Sequence, residues 1–121
     1  MSLPTIRCKE GVWFKFIDYR FLWLAKVMWD VYDKKGLVPV VTSACDGKHM
    51  KGSLHPEGLG WDWRIWGVDD PKTLQDEVKK IVELEIIPAA RKLSPYYDIV
   101  YGDAKHLDHI HTEWDERKEV K

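Results

Sequence analysis

Ile17, Phe21, Leu24, Ala25, Met28, Val31 and Tyr32 recur at helical spacing and line up as one apolar stripe. Such a stripe must be buried, and a chain of 121 residues has room for one core to bury it in. A helix over these residues is therefore expected at the packed centre of a single domain spanning 1–121. Asp18 stands near its start, and Gly36, just past Lys34 and Lys35, supplies the stop. Trp23, Val27 and Trp29 widen the apolar surface, and an aromatic stripe at this spacing reads as core rather than as a cofactor box.

The remaining segments are shorter. Leu37 to Thr42 is β-branched and reads as a strand, with Pro39 placing it near a sheet edge. Residues 43–60 have no period and are rich in Gly and Pro, so a long loop is expected, and long loops in small domains are usually functional or disordered. Trp61 to Trp66 alternates as a strand with Asp62 and Arg64 on one face. Asp70 and Pro71 open a second helix as N-cap and first helical residue. Its stripe is Leu74, Val78, Ile81 and Val82, and Pro88 kinks or ends it. Tyr97 to Tyr101 and His109 to Trp114 read as two further strands before a charged tail. The expected class is α+β, a small antiparallel sheet packed against two main helices.

Charge narrows the function classes. Nineteen basic residues against twenty acidic ones give a formal charge of -1, which argues against a nucleic-acid partner. The longest apolar stretch, Phe21 to Trp29, is broken by Lys26 and is far shorter than the ~20 residues of a membrane span. The first ten residues lack a signal peptide's apolar centre, so a soluble, monomeric chain made in the cytoplasm is expected. Cys8 and Cys45 show no metal-type spacing and read as buried thiols rather than a disulfide.

Two segments carry chemistry: Ser53 to Asp62, and His106 to His111. In a strand, His109 and His111 project on one face while Ile110 points to the core. His55 and Asp62 would lie about 23 Å apart if extended. Pro56, Gly58 and Gly60 allow a reversal that brings both to one end of the sheet. Two imidazoles and one carboxylate from separate elements are the ligand set of a catalytic zinc site, with a fourth position open. Oxygen-only chemistry suited to calcium is not expected where imidazole is available.

Ser53-x-His55-x-x-Gly58-x-Gly60-x-Asp62, followed by His109-Ile110-His111, resembles the motif pair of the zinc D-Ala-D-Ala peptidase superfamily. That superfamily includes D,D-carboxypeptidases, D,D-dipeptidases and phage L-alanyl-D-glutamate endolysins, and the hedgehog signalling domain shares its fold. The order of elements fits along nearly the whole chain, with Gly60 where the family has Ala. The resemblance implies a zinc cofactor held by His55, Asp62 and His111, with Asp108 as the general base and His109 stabilising the oxyanion. It also implies peptidoglycan stem peptides as substrate, cut by a lysis enzyme that reaches the wall after the membrane is breached.

Asp108 and His111 are three residues apart and would face opposite ways in a regular strand, so Asp108 must precede it. Glu113 shares the face of His109 and His111 and is the competing base on periodicity alone. Many relatives carry a Gly-Tyr-Arg stretch after the first strand, whose Arg meets the substrate carboxylate. Here Ser43-Ala44-Cys45-Asp46-Gly47-Lys48 stands in its place. Lys48, His49 or Arg64 is left for that role; Arg64 is alternatively an orienting partner of Asp62, and His49 lines the pocket. Ser53 caps its turn or touches substrate. Trp61 and Trp63 are expected beside this pocket. Without the Arg clamp, an endopeptidase is the leading expectation. A D,D-carboxypeptidase or dipeptidase, and a non-catalytic zinc-binding recognition module of the same fold, are the alternatives. The near-neutral charge counts against a metal-dependent nuclease.

Overall fold

A computed structural model of the chain describes residues 5–14, 17–44, 59–65, 71–102 and 108–115, with backbone alone for 71–74. The first helix, α1, runs Tyr19–Asp33. Asp18 caps it, accepting from the Arg20 amide, and the same carboxylate receives the Arg20 guanidinium through Nε and Nη2, both at 2.6 Å. Those hydrogen bonds hold the Asp18 carboxyl below its ordinary range, against the opposing effect of its partial burial. Gly36, at φ 72°, adopts the left-handed conformation that closes the helix end.

Phe21, Leu24, Ala25, Val27, Met28, Val31 and Tyr32 are buried on the inner face of α1, as the stripe requires. Two residues depart from the expectation. Ile17 lies before the helix and is 57% exposed, and Trp23 sits on the outer flank at 45% exposure. Trp23 stacks edge-on against Tyr19 one turn back, so its ring covers the helix surface rather than the core.

Among the described residues the sheet has five strands in the order β1-β2-β3-β5-β4, with β1 at Arg7–Cys8, β2 at Val40–Ser43, β3 at Gly60–Arg64, β4 at Tyr97–Val100 and β5 at His109–Trp114. It is mixed, not antiparallel as expected: β1 runs parallel to β2, and every other pair is antiparallel. The two-residue β1 covers the outer side of β2, which therefore lies one strand in from the sheet edge, near it as expected. Pro39 stands just before β2, and its carbonyl accepts from the Arg7 amide at 2.9 Å. Cys8 is exposed on β1, contrary to the expected buried thiol; Cys45 lies outside the described residues.

Pro88 does not end the second helical segment. α2 spans Pro71–Ile81, a π-helical turn covers Val82–Ile86, and α3 continues over Ile87–Leu93. Proline has no amide hydrogen, and its ring would clash with the carbonyl four residues back. The π turn widens the ladder just before it, with the Ile87 amide bonding Val82 O, so the path continues past Pro88. Asp70, the expected cap, lies outside the described residues.

Trp61, Trp63, Ile110, Thr112, Trp114, Tyr97 and Ile99 form the buried face of the sheet, packed with the inner faces of α1 and the α2–α3 segment. Phe21 stacks on Trp63 with centroids 5.8 Å apart and meets Trp61 at 5.0 Å. The polar atoms of this face are paired. Trp63 Nε1 donates to Thr112 Oγ1, and the Thr112 hydroxyl donates to Trp61 O, both at 2.9 Å. Trp61 and Trp63 therefore belong to the core. Tyr32 donates from its hydroxyl to Arg64 O at 2.6 Å, fastening α1 to the end of β3.

Candidate metal centre

Strand alternation that buries Trp61 and Trp63 turns Gly60, Asp62 and Arg64 to the opposite face. On β5 the same alternation buries Ile110, Thr112 and Trp114 and leaves His109, His111 and Glu113 on that second face. Antiparallel pairing sets Asp62 directly opposite His111, Arg64 opposite His109, and Gly60 opposite Glu113. Trp63–Thr112–Trp61 hydrogen bonding on the core side fixes this register. A one-residue slip would move the whole set to the wrong face.

The result is a chain of acids and imidazoles along one face. His111 Nδ1 lies 2.8 Å from Asp62 Oδ1, and His111 Nε2 lies 3.3 Å from Glu113 Oε1. On the other side of Asp62, His109 Nε2 is 3.8 Å from Oδ2, too long for a direct hydrogen bond. His109 Nδ1 meets Asp108 Oδ1 at 2.6 Å. Asp62, His109, His111 and Glu113 are all partly shielded from water, whereas the Asp108 side chain is 91% exposed. Asp108 lies immediately before β5, the position the sequence requires.

Burial of His111 disfavours its charged form, but hydrogen bonds to Asp62 and Glu113, and then their charges, outweigh that cost and raise its pKa to about 9. Each ring nitrogen faces a carboxylate, so the charged ring has an acceptor for each of its N–H groups. Tyr101, just beyond β4, is pushed up by burial and by the Asp108 charge, so its hydroxyl stays protonated beside this acid.

Two of the three ligands implied by the resemblance, Asp62 and His111, are thus brought together. Their nitrogen and oxygen donors suit zinc chemistry. His55 lies outside the described residues, as do Ser53, Lys48 and His49. Among the described residues, no group of three or more His, Cys, Asp or Glu side chains is arranged to hold a metal ion. Arg64 is exposed on the face of Asp62 and His109, the side the alternation predicts.

Ser43 was not singled out by the sequence for a place at this face. Val41 pairs with Trp63 but Ser43 pairs with Asp62, so β2 carries an extra residue there, and this bulge sets Ser43 opposite the Asp62 carboxylate's strand position. Nothing in the local sequence marks the bulge. The role of Glu113 beside His111 was legible only as shared strand parity.

No helix among the described residues is long and apolar enough to cross a membrane. Comparisons with protein-family models, curated proteins and solved structures found no match.

Proposed function

We propose that this chain is a zinc-dependent peptidase of peptidoglycan stem peptides, acting as an L-alanyl-D-glutamate endopeptidase of the endolysin kind. The observation that carries the reading is the cross-strand pair Asp62–His111, joined at 2.8 Å on the sheet face that also presents His109, whose Nδ1 meets Asp108. Zinc would be held by His55, Asp62 and His111 and would supply Lewis acidity to the scissile carbonyl. Asp108 takes a proton from the attacking water and returns it to the departing amine as the C–N bond breaks. Its contact with His109 Nδ1 orients that ring, and His109 Nε2, 3.8 Å from Asp62 Oδ2, would stabilise the developing oxyanion.

The substrate assignment rests on what replaces the carboxypeptidase clamp. A terminal carboxylate is normally held by a charge-assisted, often bidentate Arg contact. At the corresponding place this chain has Ser43 at the bulge and a buried Ala44, followed by Cys45-Asp46-Gly47-Lys48. An internal bond of the stem peptide is therefore the expected target. Incubation with purified cell walls should release fragments with new amino termini, read by mass spectrometry, while a soluble pentapeptide ending in D-Ala-D-Ala stays intact. Release of free D-Ala from the pentapeptide with untouched walls would overturn the endopeptidase assignment and turn attention to Lys48 and Arg64.

A further inference from the structure

We infer that Glu113 is a positioning residue for metal binding, the carboxylate that fixes the His111 ring, and not the residue that moves protons in catalysis. The inference rests on the proposed zinc site and names the part Glu113 plays in it.

The two nitrogens of His111 are differently placed. Nδ1 is on the side of Asp62, the neighbouring ligand, and Nε2 is on the side of Glu113, 3.3 Å from Oε1. An imidazole can give only one nitrogen to a metal ion. The carboxylate partner of the other nitrogen then fixes the tautomer and the ring plane and raises the basicity of the ligating atom. With Glu113 placed as the acceptor for Nε2, Nδ1, the nitrogen beside Asp62, is the one positioned to ligate. Glu113 and His111 are two apart on β5, so strand geometry keeps both on one face. Thr112 between them is locked in the core through Trp61 and Trp63, which limits rotation of this segment. Asp108 has no such relation to His111. It bonds His109 and stands exposed at the head of the strand.

The test is titration of the purified, metal-stripped full chain with Zn²⁺ against a competing chelator, with no peptide substrate present. Loss of a carboxylate behind a ligating His typically costs 10–100-fold in metal affinity, and Glu113→Ala is expected to fall in that range. Glu113→Gln, whose amide oxygen can still accept from Nε2, should stay within a few-fold of wild type. Melting of the metal-free variants reports whether either one unfolds. Zinc affinity of Glu113→Ala equal to wild type, or equal losses in Glu113→Ala and Glu113→Gln, would overturn the inference and leave the zinc site standing. Failure of the wild-type chain to bind zinc would overturn the zinc reading itself, and the role of Glu113 with it.

Discussion

Asp108→Ala is expected to bind zinc as wild type does and to lose on the order of 10²–10⁴-fold in the rate of wall hydrolysis at saturating zinc. Asp108 is 91% exposed and touches the ring of His109, so its removal leaves the Asp62–His111 pair untouched. A fold defect is not expected from a side chain so exposed. Glu113→Ala is the counterpart: weaker zinc binding, with activity recovered once zinc saturates the site. Stopped assays of turnover across a zinc series separate the two. A Glu113→Ala enzyme that stays inactive at saturating zinc, beside an active Asp108→Ala enzyme, would make Glu113 the base.

Trp63→Ala should lower the free energy of unfolding by about 3–5 kcal/mol, the usual cost of emptying a buried Trp site. Trp63 is fully buried, stacks on Phe21 and donates to Thr112. Its loss opens a cavity between α1 and the sheet and removes the link that holds β3 in register with β5. Since domains of this kind have only about 5–15 kcal/mol of stability, a large share of the total would be lost. Trp23→Ala is the control: at 45% exposure, with Tyr19 as its ring partner, it should cost under about 1 kcal/mol. Urea denaturation of both variants gives the comparison. Similar losses for the two would mean that the outer flank of α1 is part of the core after all.

Much of the site's face was legible in the sequence because strand parity is a local property. The alternation of Trp61, Asp62, Trp63 and Arg64, and of His109 through Trp114, is enough to separate core side chains from site side chains. The α1 limits were legible for a similar reason, since Asp18 and Gly36 carry the cap chemistry themselves. What was not legible depends on partners distant in sequence. Register between β3 and β5 is set across nearly fifty residues by Trp63 and Thr112, and no pattern in either segment alone names Asp62 as the partner of His111. β1 is too short to show alternation, so its parallel pairing with β2 could not be read. The bulge before Ser43 and the π turn before Pro88 are responses of the backbone to its neighbours. Trp23 misled because its helical position lies at the margin of the stripe, where apolar character does not decide burial.

The most direct test of the account is the zinc content of the purified chain and of its His111→Ala variant, measured by elemental analysis after dialysis against a metal-free buffer. Wild type should retain about one zinc per chain, as three protein ligands with one open position imply. His111→Ala should lose most of it while keeping the wild-type circular dichroism spectrum, because the ring lies on the face away from the core. Zinc absent from the wild type, or retained in full by His111→Ala, would contradict the account.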